Sequence, residues 1–378
     1  MNAPHPPADD VTGLLQALVR VGSVNPAGDP GTTQTGEKRC AELIAERLEG
    51  LGAAAGLREV LPGRPNVLGR FPADRPGKPK LLLCPHVDTV SVRGMTVDPF
   101  AAEIHEGRLY GRGATDTKGT LAAMLWALWE IRDALPGLQH EVWFAGLMGE
   151  EAGNEGATAL AADHPDAAFA LVGEPTGCDV VYKTKGVVWL RLHTRGRAAH
   201  NATPERGENA VYKMADVLRC LRDDLPGALA ARADPVLGPP TASVGTITGG
   251  SKVNIVPEGC TVELDVRTVP GQEQGALVEF LTGRLRGACP AVEVAFVRGN
   301  PPLDTAPGHP CVQALRAAGG RLVGAPWFCD GSLLQSGGIP AVAAGPGDIA
   351  QAHTADEFLA LDDLHAGVEF YKRFLLKV

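Results

Sequence analysis

Apolar side chains recur at helical spacing in two stretches near the start of the chain. Leu14, Leu15, Leu18 and Val19 share one face of residues 11–21. Residues 35–51 predict a second amphipathic helix, with Ala41, Leu43, Ile44 and Leu48 apolar and Gly50 and Gly52 as a stop. Residues 80–84 form an apolar run too short for a helix and predict a buried strand. Residues 140–146 and 167–172 have the same character, and 339–344 repeats it near the end. Between these runs the apolar stretch 120–134 predicts a long helix. Stretches 157–163, 310–319 and 362–376 predict others, and 98–110 reads as a loop or hairpin. Buried strands alternating with helices predict an α/β fold, a mostly parallel sheet flanked by helices.

The pattern changes in the middle of the chain. Over 186–194, Val188, Leu190 and Leu192 alternate with Trp189, Arg191 and His193, as in a half-buried strand. A helix at 209–221 follows, then strands at 242–248 and 254–268 joined through Gly249-Gly250, a helix at 272–285 and a strand at 292–297. This β-α-β-β-α-β order is the ferredoxin-like split motif. Residues 184–298 are therefore expected to be an α+β domain inserted into a first domain made of 1–183 and 299–378.

Composition narrows the function. The chain has 378 residues and a net charge of −9, with no basic tract, which argues against a nucleic-acid partner. No apolar run approaches the length of a membrane span. Residues 1–10 hold Pro and Asp without an apolar core, so no signal peptide is expected. The eight cysteines are scattered without Cys-x-x-Cys spacing and read as reduced thiols of a cytoplasmic protein. Residues 111–119 are neither a dinucleotide fingerprint nor a phosphate loop, because Asp116 stands where glycine or lysine would be needed.

Polar residues of one chemical kind collect where the apolar strands end: His86 and Asp88, Asp116, the adjacent Glu150 and Glu151, Glu174, and His353. Open α/β sheets bind ligands beyond the carboxyl ends of their strands. Each residue alone has an ordinary account: a satisfied histidine, a helix cap at Asp116, a solvated turn at Glu150-Glu151. Their joint placement at strand ends, or in the loop before a helix, would need several coincidences. Imidazole and carboxylate without thiolate suit zinc and its neighbours. Two histidines and three carboxylates exceed one four-coordinate zinc and suit two ions about 3.5–4 Å apart, with one carboxylate shared. Asp88 follows His86 at a spacing that lets it hydrogen-bond the far ring nitrogen. The remaining glutamate takes the role of general base.

The segments that carry these residues resemble a known family. They are Pro85-His-Val-Asp88, Leu109-Tyr-Gly-Arg-Gly-Ala-Thr-Asp116-Thr-Lys-Gly119, Gly149-Glu-Glu-Ala-Gly153, Gly173-Glu-Pro-Thr176 and the stretch from Gly345-Pro-Gly to Ala352-His353. In order, and over nearly the whole chain, they are similar to the M20 family of dizinc amidohydrolases and peptidases. That family includes acetylornithine deacetylase, succinyl-diaminopimelate desuccinylase, aminoacylase and glutamate carboxypeptidase. The resemblance implies Asp116 as the bridging ligand, ahead of a cis peptide bond to Thr117. It implies His86 and Glu174 on one zinc, Glu151 and His353 on the other, and Glu150 as base; cobalt and manganese are the alternative ions. The inserted domain would be a lid and the contact surface of a homodimer.

The inserted domain carries further matches. Gly196-Arg-Ala-Ala-His200 resembles the family segment whose histidine stabilises the oxyanion, often from the partner subunit. Gly249-Gly-Ser-Lys-Val-Asn254 and Asp265-Val-Arg267 resemble segments that hold the substrate carboxylate, for which arginine offers a bidentate fork. The alternative for Arg267 is a pair with Asp265 on the strand. Lys185 and Lys252 suit an acidic acyl chain or are simply solvated. The expected activity is hydrolysis of N-acyl amino acids, as by an acetylornithine deacetylase of arginine biosynthesis, with metal-bridged water attacking and Glu150 as base. A metallocarboxypeptidase, a dipeptidase or a succinyl-diaminopimelate desuccinylase is the alternative. A non-catalytic binding protein on the same scaffold would need a lost ligand or base, and none is missing. The stretch 345–357 and Trp327-Phe-Cys329 are similar to the deacetylase, whereas Asp330-Gly331 is similar to the desuccinylase.

Overall fold

A computed structural model describes residues 4–164 and 166–378; the first residues of the N-terminal stretch discussed above, 1–3, lie outside the described residues. The chain forms two compact units. The first runs to Tyr182 and resumes over Thr305–Val323 and Cys329–Val378; the second is Lys183–Asp304 with Gly324–Phe328. The sequence placed the boundaries at 183/184 and 298/299 and assigned 324–328 to the other domain.

An eight-stranded sheet runs in the order Ala54–Leu61, Arg64–Arg70, Glu141–Gly146, Lys80–Pro85, Ala167–Gly173, Ala341–Ala343, Val180–Thr184, Leu322–Ala325. The four strands from Glu141–Gly146 to Ala341–Ala343 are parallel, with Leu83 opposite both Phe144 and Leu171. Covered on both faces, they have no solvent side, which is why they are apolar beyond the charged residues Lys80 and Glu141 that open two of them. Helices Val11–Arg20, Lys38–Gly50, Thr120–Glu130, Pro310–Ala318 and Leu361–Leu375 share one core with the sheet. Thr120–Glu130 is apolar almost all round and is the most enclosed of them, as such a composition requires. Tyr371, fully buried, keeps its hydroxyl satisfied by donating to the carbonyl of Ala344 at 2.7 Å. Glu155–Asp163 and Gly331–Ser336 pack together away from that core.

In the second unit the strands Thr241–Gly249, Gly259–Thr268, Gly186–Arg195 and Glu293–Asn300 lie side by side in that order, all antiparallel. This is the ferredoxin-like arrangement. Helices Ala210–Arg219 and Gln274–Ala288 cover one face, burying Leu190, Leu192, Val262 and Leu264 against Met214, Leu277 and Leu281. The alternate positions face outward, and Trp189 is exposed there; Ile247 and Phe296, on the two outer strands, are exposed as well.

Several predicted bounds move for identifiable reasons. The helix expected over 120–134 stops at Glu130, and a short 3₁₀ turn follows over Leu135–Gly137 with Pro136 in its first positions. The strand expected from 254 begins at Gly259; Pro257 has no N–H for a ladder, and Ile255 turns back to the carbonyl of Lys252. The hairpin Ala54–Leu61/Arg64–Arg70 was not anticipated. Its turn holds Gly63 at φ +71°, and its outer strand is largely exposed, so no buried run marks it. All eight cysteines are free thiols, and only Cys178 is partly exposed. Among the described residues no helix is long and apolar enough to cross a membrane.

Candidate metal centre

The parallel strands deliver their following residues to one edge of the sheet. The ladder continues past the named strands, with His86 bridged to Leu147 and Val87 N–H donating to Leu147 at 2.7 Å. This brings the turn after Glu141–Gly146 alongside His86 and Asp88. Gly149 takes φ +78° and Asn154 φ +61°, the backbone values that fold 149–154 back on itself. Gly156 is also required there, because a Cβ would stand 2.3 Å from the Met148 carbonyl oxygen.

Asp116 lies between the two histidines. Its Oδ1 is 2.9 Å from His86 Nε2, its Oδ2 is 3.3 Å from His353 Nε2, and His353 Nε2 is also 3.2 Å from Glu151 Oε2. Ligand atoms of His86, Asp116 and Glu151 all fall within 4.8 Å of one another. The Asp116–Thr117 peptide bond is cis, and Thr117 Oγ1 donates to the Gly173 carbonyl at 2.8 Å, tying this loop to the strand that leads to Glu174. Glu174 is buried beside His86 and Asp116, and its Oε1, like Oε1 of Glu151, has no hydrogen-bond partner.

The sequence placed the Asp88 carboxylate on the far nitrogen of His86. Instead, the Asp88 carbonyl oxygen is 3.0 Å from Nδ1, while its carboxylate Oδ1 is 3.6 Å away. The Asp88 carboxylate holds the glutamate turn: Oδ1 accepts Glu150 N–H at 3.0 Å, and Oδ2 accepts Glu151 N–H at 3.1 Å and Asn25 Nδ2 at 2.8 Å. Either contact of Nδ1 requires its proton, so Nε2 is left as the ligand-type lone pair.

The electrostatics match this crowding. Burial pushes Glu150 well above its ordinary range, and the charge of Glu174 adds to it. Burial pushes Glu151 up to about 7, with Asp116 contributing in the same direction. Burial raises Glu174 well above the usual carboxylate value. Burial would raise Asp116 too, but hydrogen bonds from His353 and His86 win and its carboxyl is held low. Hydrogen bonds to Asp116 and then Glu151 lift His353 to about 10. The His86–Asp116 contact needs a proton between two atoms that both carry ligand lone pairs. Buried carboxylate oxygens without donors stand beside it. A divalent cation satisfies both conditions, so the residues fit a metal.

The sequence reading missed Asp330 as part of this site. Burial pushes its carboxyl up to about 7. Its Oδ1 accepts Asn154 Nδ2 at 3.1 Å, and the same amide donates to the Glu150 carbonyl at 2.8 Å. A carboxylate set between Cys329 and the small Gly331-Ser332 pair was the available signal.

Within the second unit, His200 and Asn254 are neighbours. His200 is bridged to Ile255, and Asn201 N–H donates to the Asn254 carbonyl at 3.1 Å. Ala202 N–H donates to His200 Nδ1 at 3.1 Å, so that nitrogen is the acceptor and the ring proton sits on Nε2. Arg267 pairs with Asp265 through Nε at 2.9 Å and Nη2 at 3.2 Å, the alternative stated for it. Lys185 is buried, donates to the Pro239 carbonyl at 2.6 Å, and is lowered by burial and then by the charge of Arg267. Lys252 is exposed.

The model of peptidase family M20/M25/M40 matches residues 82–377. The chain is 31% identical to acetylornithine deacetylase of Proteus mirabilis (strain HI4320) over 362 residues, covering 92% of this chain and 91% of that one. The structure of an M20 family metallo-carboxypeptidase from Sulfolobus solfataricus is similar with a TM-score of 0.79 at 21% identity, over 98% of this chain and 99% of that one. A dinuclear metal-binding peptidase of the M20 family from Bacillus subtilis is similar with a TM-score of 0.72 at 15% identity, over 97% and 98% of the two chains. These structural likenesses carry the fold, and the family match covers most of the sequence. The chain belongs to peptidase family M20/M25/M40 and is a metal-binding hydrolase of amide bonds.

Proposed function

We propose that this hydrolase removes the acyl group from an N-acyl amino acid, in the manner of an acetylornithine deacetylase. The observation that carries the reading is Asp116, shared between His86 and His353 at the carboxyl edge of the parallel strands. His86 and Glu174 would hold one ion and Glu151 and His353 the other, with Asp116 common to both. Zinc suits these donors, and cobalt or manganese would also be accepted. When bound, such a pair acidifies water and polarises the scissile carbonyl.

The chain's own residues do the rest. Glu150, anchored through its N–H to Asp88, takes a proton from the attacking water and returns it to the leaving nitrogen. His200 donates its Nε2 proton to the carbonyl oxygen as negative charge develops there. Asn254 and Arg267 bind the substrate carboxylate, and Lys185 serves an acidic acyl chain. The second unit serves as lid and as the contact of a homodimer; its long exposed edge strand Thr241–Gly249 and the exposed Trp189, Ile247 and Phe296 support that use. The cytoplasm is the proposed location, in keeping with eight free thiols.

The test is a hydrolysis panel with metal content measured on the same sample. It includes N-acetylornithine, N-succinyl-diaminopimelate, other N-acyl amino acids and dipeptides. Preference for N-acetylornithine supports the deacetylase reading and a place in arginine biosynthesis. Preference for a dipeptide replaces it with the carboxypeptidase or dipeptidase reading. On the preferred substrate, His200→Ala is expected to lower kcat by about 10²–10³-fold with metal content unchanged. A wild-type kcat in that variant removes His200 from the reaction.

A further inference from the structure

Three of the loops that carry candidate ligands meet at one buried ion pair. Glu357 is fully buried and Arg112 is 3% exposed. Oε1 of Glu357 accepts the N–H groups of Thr115 at 2.9 Å and Asp116 at 3.0 Å. Oε2 accepts Gly113 N–H at 3.0 Å and Arg112 Nη1 at 2.7 Å. The same guanidinium then reaches outward, donating from Nε to the Ser91 carbonyl at 3.1 Å and from Nη2 to the Thr354 carbonyl at 3.2 Å. Ser91 lies on the loop that leaves His86 and Asp88, and Thr354 follows His353 directly. Two main-chain bonds close the junction, Gly111 N–H to Glu357 at 3.0 Å and Thr96 N–H to Ala355 at 2.8 Å.

With four donors aimed at it, the Glu357 carboxylate is satisfied where it is and is not a spare metal ligand. It grips the backbone of Asp116 itself, and Arg112 joins that grip to the loops after His86 and His353. We infer that the Arg112–Glu357 pair is a positioning element that sets Asp116 between His86 and His353 before any cation binds. This inference rests on the metal-centre reading above. An ordered donor set loses less freedom when it captures an ion, and groups that orient ligands typically govern about 10–100-fold in metal affinity. A buried pair of this kind is poorly explained by stability alone, since well-packed apolar side chains would serve as well or better.

The test uses Glu357→Gln and Arg112→Lys in the full-length chain. Glutamine has nearly the shape of glutamate but turns one acceptor into a donor facing either the N–H groups of Thr115 and Asp116 or Gly113 N–H and Arg112. Lysine keeps the charge but cannot serve Glu357, Ser91 and Thr354 together. Zinc is removed with a chelator and returned against a chromophoric competitor. Thermal melting is followed with chelator and with saturating zinc. The expected result is a zinc Kd raised by about 10–100-fold in Glu357→Gln and by less in Arg112→Lys, with KM near wild type and kcat recovering as zinc is raised. Melting in the presence of chelator should change less than the zinc-induced gain in Tm. If Glu357→Gln does not fold, Arg112→Lys decides by the same readout. Unchanged zinc Kd values beside an equal loss of Tm with and without metal would overturn the positioning role and leave a merely structural one. A wild-type chain that takes up no pair of ions would overturn the metal-centre reading, and this inference with it.

Discussion

Glu150→Gln is expected to lower kcat by about 10²–10⁴-fold, with metal content unchanged from wild type. The loss corresponds to about 3–5 kcal/mol of transition-state stabilisation. The substitution keeps the shape of the side chain and the backbone anchor, because Asp88 Oδ1 binds the N–H of residue 150 and not its side chain. What disappears is a carboxylate able to accept a proton. That carboxyl stands well above its ordinary range, first through burial and then through Glu174, so protein surroundings already favour proton uptake there. Glutamine cannot take up the proton at any useful pH, and the loss should therefore fall on kcat rather than on KM. Metal analysis on the same sample separates two outcomes. Turnover close to wild type would take the base role from Glu150, and loss of an ion would move Glu150 into the ligand set.

The parts of this protein that read clearly from its sequence share a physical cause. Parallel strands covered on both faces must be mostly apolar, so 80–84, 140–146 and 167–172 stood out, and the polar residues just after them stood out by contrast. The alternation of Val188, Leu190 and Leu192 with Trp189 and Arg191 survives in the structure because helices cover only one face of that sheet. The hairpin at Ala54–Leu61 and Arg64–Arg70 gave no such contrast, since its outer strand is mostly exposed. Side-chain partners were harder still. Spacing sets the Asp88 carboxylate on His86, yet that carboxylate turns to the N–H groups of Glu150 and Glu151, a choice made by a turn about sixty residues away. The Arg112–Glu357 pair joins positions 245 residues apart, and nothing local marks either residue as more than a surface charge. Spacing rules report what neighbours along the chain can do, and these contacts are made by the fold.

Asp116→Asn is expected to abolish activity and to reduce metal content from two ions per chain to less than one. Asp116 offers a different oxygen to each histidine, Oδ1 to His86 at 2.9 Å and Oδ2 to His353 at 3.3 Å. Asparagine retains one acceptor and presents an NH₂ group in place of the other, so one of the two positions loses its shared donor outright. The position that keeps an oxygen loses its negative charge, while Glu151 and Glu174 still carry unpartnered oxygens in a buried setting. A change among residues that merely orient ligands costs about 10–100-fold in metal affinity, and, under the assignment proposed above, loss of Asp116 should exceed that at each ion. The fold should tolerate the change, because Glu357 holds residue 116 by its backbone N–H, which asparagine also has. Metal content by mass spectrometry, with melting in chelator as the control, checks the result. A variant that keeps two ions at wild-type affinity would show that Asp116 is not shared between them. A variant that keeps one would identify, through a second substitution at His86 or His353, which ion depends on the bridging carboxylate. The expected order is that the position served by His353 empties first. That imidazole is mostly exposed and relies on Asp116 and Glu151 for its orientation, whereas His86 is buried and held at Nδ1 by Asp88.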